Sequence, residues 1–479
     1  MALTETSLNS SGSSAIDDSL RAPVFVYLTA ALKWLVFASI FGYIASWKSH
    51  NQEFLNGCVF LTVGRVQAVA TAALIYGFGC NMAFMVGLWL MARLSGAPVS
   101  KNFYLIIAGI FWNVALTVGI VGIFMGDLRA FELLELPAYV GFPLILASLL
   151  ISVWVILCVK DRSNPELYAS QWFLIAAFLA FPWIQIVAHV MLTVKPAPGV
   201  IQALVASWFA SNLLWLWFGA IATAVLYYVI PKVLGSTVKA YSLAKYGFII
   251  LVFVGTWTGA ASLAGGPLPV WIPTVGIAAS LVFLIFFVIA GINFLGTLCE
   301  GRSLIFDNPI LLFAGFASLA LVLAGFLLAF TSLRSVAEIT QFTIFLDAHH
   351  FLIFYGVFSM SAFAFVYWAL PKLLGREWPM DFLVSAHFWL AVIGIALTVI
   401  PMAIGGWKQG SAMLDGTIPV SEIVRTTSYF MLPRSMAWIF LTLGHGALIL
   451  NVISIYRPDC ESHLEELIRS DAEAGGGLN

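Results

Sequence analysis

Residues 208–232 read WFASNLLWLWFGAIATAVLYYVIPK, a run of aromatic, branched and small side chains with no charge before Lys232. A helix of that length crosses the roughly 30 Å of hydrocarbon in a bilayer, where a segment must satisfy its own backbone hydrogen bonds. A second run, HHFLIFYGVFSMSAFAFVYWALPKL at 349–373, has the same character and also closes on Pro-Lys. Working outward from these two, apolar runs bounded by Gly, Pro and charge give about twelve spans, at 24–46, 66–92, 103–125, 138–159, 170–193, 200–230, 246–264, 270–297, 309–333, 343–370, 382–405 and 431–456.

The rest of the composition agrees. Of 479 residues, 61% are hydrophobic and 9% charged, where soluble domains carry about 25% charged residues. The sequence therefore predicts an all-α polytopic membrane protein in a lipid bilayer. A net charge of −1 leaves no basic excess to hold a phosphate backbone, so nucleic acid is not an expected partner. The cysteines at 58, 80, 158, 299 and 460 form no Cys-x-x-Cys, which excludes zinc or iron–sulfur spacing and a Cys-x-x-Cys-His for attaching a c-type haem. Residues 1–23 are polar, Ser-rich and without the basic start of a signal peptide, and are expected to form a disordered tail. Residues 24–457 form one membrane domain, and 458–479 a polar C-terminal tail.

An even number of spans places both termini on one side. With the N-terminus inside, the inner connections carry thirteen Lys and Arg and the outer ones eight. That bias points to a cytoplasmic location for both termini.

Polar side chains within spans are costly and are functional candidates by default. Asp347-Ala-His349-His350 is the densest group. Adjacent helix positions diverge by about 100°, so His349 and His350 cannot both face one ligand. One ring is expected in the bundle and the other at the interface. Gln185 and His189, four apart, share a face suited to bonding another span. Lys33, near mid-span, must snorkel or pair with an acid. His387, beside Phe388 and Trp389, reads as an interfacial anchor.

The ordered segments Gly64-Arg65 with ALIYGFGCN, ELPAYVGFPL at 135–144, the 208–232 run, TWTGAASLAGGPLPVW at 256–271, the 349–373 run, HFWLAVIGI at 387–395 and LPR at 432–434 resemble the haem-copper oxidase superfamily. They resemble in particular the catalytic subunit I of cbb3-type cytochrome c oxidase, over about residue 60 to Arg457, which implies a bacterial inner membrane. The resemblance implies the family's twelve-helix fold, a respiratory role and membrane-anchored c-type cytochrome partners. That family reduces dioxygen at a haem–copper pair fed by a low-spin haem, and uses six histidines to do so.

Carried onto this chain, the first low-spin haem ligand falls on Ala70, eleven residues before Asn81. The copper ligands fall on Ser211, Ala261 and Ser262, and the tyrosine near them on Gly255. The His-x-His of the tenth helix falls on His349 and Phe351, leaving five of six ligand positions without imidazole. Copper is therefore not expected, and the cofactor complement is none or one haem, with His349 its axial ligand. Arg65 and Arg434 fall where the family keeps arginines near haem propionates, and Glu135 lies in its acidic loop. The preferred expectation is a non-catalytic subunit. The alternatives are an active terminal oxidase passing electrons from cytochrome c to dioxygen with proton translocation, a single-haem gas-binding or sensing protein, and a secondary transporter.

Overall fold

The computed structural model describes the backbone of residues 2–51, 53–163 and 165–475, and side chains from 15 to 457 except at 52 and 164. Eleven continuous helices are long and apolar enough to cross a membrane: α1 (Ala15–Lys48), α2 (Val63–Ser95), α3 (Phe103–Met125), α4 (Ala138–Lys160), α5 (Ala169–Val194), α6 (Ile201–Leu234), α8 (Trp271–Glu300), α9 (Pro309–Ser332), α10 (Ile344–Leu374), α11 (Asp381–Leu414) and α12 (Val420–Arg457). The twelfth, α7, joins Tyr241–Phe253 to Gly255–Leu263 across a 43° bend. No strand occurs among the described residues.

The helix ends follow from local chemistry. Asn308 caps α9 by accepting from the Ile310 amide behind Pro309, and Thr343 caps α10 by accepting from Phe345. α2, α3, α6 and α10 close on Gly96, Gly126, Gly235 and Gly375, all in the left-handed conformation that side chains resist. In α6 and α10 a Pro-Lys pair precedes that glycine by the same spacing, so one terminating device occurs twice.

Every fourth span is central. The most apolar windows of α2, α6 and α10 are 89%, 94% and 94% buried, against 39–50% for the other continuous spans. Each of the three widens into π-helical turns near its middle, at Ala73–Gly79, Leu213–Gly219 and Leu352–Ser359. Such turns shift the side-chain register and are frequent at functional sites. The remaining spans turn one face to lipid, with Trp183, Phe253 and Phe326 about half exposed or more.

Two expected boundaries move. The expected tail at 1–23 does not end where the polar composition ends, because α1 already includes residues 15–23. Ile16 and Leu20 are buried there, and Asp17 pairs with Arg93 at 2.5 Å. Partners on α2 and α3 stabilise a segment whose own composition favours coil. At the other end the α12 helix runs on to Gly475, and the side chains of the expected tail lie outside the described residues.

Candidate functional site

A cavity of about 210 Å³ lies between α6, α7, α9 and α10, beneath the loop at 126–137. Three features form it. The π-helical turns of α6 and α10 change which side chains face inward. The bend in α7 brings its second half across α6. Gly259 then allows close approach, since a Cβ there would lie 2.6 Å from the Ser207 carbonyl oxygen and 2.9 Å from the Trp208 Cα.

Ser211, Ala261, Ser262 and His349, far apart in sequence, all line this cavity. The resemblance assigns three of them to copper and the fourth to the high-spin haem, so the structure brings these positions together. Their chemistry is hydroxylic. The Ser211 hydroxyl bonds the Thr258 hydroxyl at 2.8 Å, and the Ser262 hydroxyl bonds that of Ser207 at 2.7 Å. Thr258 and Ser262 also donate to the carbonyls of Gly255 and Gly259, each at 2.8 Å. His349 Nε2 lies 2.9 Å from the Ala324 carbonyl, a contact in which the ring donates. Among the described residues, no group of three or more His, Cys, Asp and Glu is placed to hold a metal ion.

His350 points elsewhere, as the helical divergence requires. Its Nδ1 meets a Glu132 carboxylate oxygen at 2.7 Å at the edge of the cavity. Burial raises the Glu132 carboxyl, but the imidazole beside it outweighs that effect and holds the group below its usual range. Glu135, three residues on, has the opposite fate. Burial pushes its carboxyl up to about 7, and one carboxylate oxygen has no hydrogen-bond partner. Arg129 anchors the same loop, donating to the Leu136 carbonyl at 2.6 Å and to Thr193 at 2.9 Å.

The second site implied by the resemblance is filled. Phe351 stacks on Tyr355 with ring centroids 5.3 Å apart, and its edge contact with Trp438 of α12 is at 6.5 Å. Trp438 closes on α1 where Gly42 has no side chain, since a Cβ there would lie 2.5 Å from the indole. Behind this wedge, Tyr355 bonds His445 Nε2, while His445 Nδ1 lies 2.7 Å from the oxygen of Ser39, whose hydroxyl donates to the Leu35 carbonyl. Arg65 and Arg434 stand apart. Both are half-buried: Arg65 donates to the Val59 carbonyl at 2.8 Å, whereas Arg434 has Asp347 as its attracting carboxylate.

His387 is corrected. It is fully buried rather than interfacial, with Nδ1 2.9 Å from the Tyr367 hydroxyl and Nε2 unpartnered. The span begins at Asp381, so His387 already lies two turns inside. Gln185 does bond another span, through Ser148 at 3.4 Å, while His189 Nδ1 has no partner. Sequence reasoning passed over Glu132 and the Tyr355–His445 pair. The available signal for the latter was a histidine between two glycines, of which Gly444 makes room for the His387 ring, 3.1 Å from where its Cβ would be.

Residues 22–445 match the sequence profile of the family described as cytochrome C and quinol oxidase polypeptide I. The cytochrome c oxidase subunit 1 of Rhodobacter capsulatus is 25% identical over 417 residues, 82% of this chain and 76% of its own length. A cytochrome c oxidase subunit 1 homolog of Azorhizobium caulinodans is 25% identical over 81% of this chain and 72% of its own. The cbb3-type cytochrome c oxidase subunit CcoN1 of Stutzerimonas stutzeri is 24% identical over 77% and 81%. With its twelve-span, all-helical bundle and a match over most of its length, the chain belongs to the cytochrome c and quinol oxidase polypeptide I family, the haem-copper oxidase subunit I fold.

Proposed function

We propose that this chain is a non-catalytic membrane subunit of a bacterial respiratory oxidase assembly, retaining the subunit I scaffold without an oxygen-reducing centre. One observation carries the reading: the positions assigned to copper meet in one cavity as paired hydroxyls and an alanine, Ser211 with Thr258, Ser262 with Ser207, and Ala261. Copper favours a cluster of imidazoles, and a neutral hydroxyl is a poor substitute. These hydroxyls also satisfy one another. The residues present therefore do not fit the copper centre.

Nor do they fit a low-spin haem, because Ala70 and Phe351 offer iron no lone pair and the Phe351 ring is stacked within the aromatic wedge. His349 alone supports a second reading, as the axial ligand of a single haem. Against it stand the bond to Ala324 and a cavity below the roughly 300–1,000 Å³ typical of ligand pockets. Arg65 and Arg434 act in this reading as end-of-span anchors. Both termini are cytoplasmic, and the neighbours are other oxidase subunits, among them membrane-anchored c-type cytochromes.

Oxygen uptake by the detergent-purified chain with a reduced c-type cytochrome as donor tests the proposal. Consumption at the level of the buffer blank is expected, and turnover abolished by His349→Ala would refute it.

A further inference from the structure

Lys33 lies near the middle of α1. At 1.5 Å per residue the nearest cations along that helix, Arg21 and Lys48, are roughly 18 and 22 Å away, so Lys33 sits deep in the hydrocarbon layer, beyond a snorkelling reach. Its side chain is exposed, and its one described contact is the Trp34 ring, 4.8 Å from the ammonium. The polar groups that share its groove, Thr29, Asn113 and Thr117, are all neutral, and the Asn113 side chain is already engaged. Asn113 Oδ1 accepts from Trp34 Nε1 at 2.7 Å and from Asn81 Nδ2 at 3.2 Å, which uses both of its lone pairs. The Thr117 hydroxyl donates to the Asn113 carbonyl at 2.8 Å.

Around this cation a groove of about 490 Å³ runs between α1 and α3 on the lipid-facing surface, with Ala30, Gly109 and Asn113 along its floor and the exposed Thr29, Thr117, Ile110 and Val114 at its edges. Small residues let another helix backbone come close, and a buried cation requires an anion. We infer that this groove docks a transmembrane helix of another chain, one that presents an Asp or Glu side chain at mid-membrane depth to Lys33. The depth sets the occupant. Lipid headgroups and water-borne anions stay near the interfaces, and acyl chains offer no acceptor. The spans involved do not line the cavity, so the inference is independent of the proposed function.

The test uses the full chain, fluorescently labelled, in phosphatidylcholine vesicles with single-span Leu/Ala peptides of about 20 residues. The peptides carry Asp, Leu or Lys at the centre, and association is read by energy transfer. The Asp peptide should bind the parent chain about tenfold more tightly than the Leu peptide, the scale of one interhelical polar contact. Lys33→Met should abolish that preference, and Lys33→Glu should transfer it to the Lys peptide. Equal binding of the Asp and Leu peptides to the parent chain would overturn the inference, as would a preference that survives Lys33→Met. The parent-chain comparison decides even if a variant misfolds.

Discussion

Two regions of the bundle, each assigned a metal centre by the resemblance, differ in how they are packed. Between α6, α7, α9 and α10 the positions that the resemblance assigns to copper are small, two of them hydroxylic, and line a cavity. Beside α1 and α12 the position that the resemblance assigns to the low-spin haem is Phe351, and with Tyr355 and Trp438 it forms a close-packed wedge. A site that keeps its space retains the freedom to admit a small molecule. A site occupied by aromatic rings is part of the core, and its residues act chiefly through packing, with the Tyr355–His445 bond behind them. The difference locates any remaining binding function in the first region and any large stability effect in the second.

The sharpest way to break this comparison is Trp438→Ala, which should cost about 3–5 kcal/mol by leaving an unfilled hole. The indole nitrogen has no hydrogen-bond partner, so packing alone is lost. Thermal unfolding in detergent measures it, and a small change would mean the wedge is not close-packed. Gly259→Ala comes next. A Cβ 2.6 Å from a backbone carbonyl forces α6 and α7 apart, at about 1–3 kcal/mol, and the unfolding temperature should fall accordingly.

The loop over the cavity supplies a pH test. Glu135 is raised from 4.5 to about 7 in the folded chain, so the fold favours its protonated form. The contribution is fully present below about pH 4.5, declines as pH rises toward 7, and above that leaves the folded state penalised by about 1–3 kcal/mol. Glu135→Gln should therefore be more stable than the parent at pH 8 and nearly equal to it at pH 4. The same advantage at both values would contradict the assignment. Ser211→Ala should have the smallest effect, about 0–1 kcal/mol, because Thr258 still donates to Gly255. A loss as large as that of Trp438→Ala would erase the distinction between the two regions.

Much of this fold is legible in the sequence because hydrocarbon allows little else: runs such as 208–232 and 349–373 had to be spanning helices. The break in α7, between Phe253 and Gly255, falls within one expected span, 246–264, although the helix itself begins earlier, at Tyr241. What the apolar runs conceal is depth. Nothing in α2, α6 and α10 taken singly distinguishes a helix buried on all sides from one facing lipid, since both are apolar all round, and only the assembled bundle separates them. The same limit misplaced His387, whose aromatic neighbours suggest an interface and whose position two turns inside the helix buries it. The divergence of His349 and His350 was readable from helix geometry. The partner of His350 was not, because Glu132 comes from a loop more than two hundred residues away.

The central claim is that the space left between α6 and α10 no longer holds a redox centre. It is tested most directly by haem and copper content per polypeptide, from a pyridine haemochrome spectrum and elemental analysis of the purified chain. The account predicts no copper and at most one haem, lost in His349→Ala; two haems and one copper per chain would contradict it.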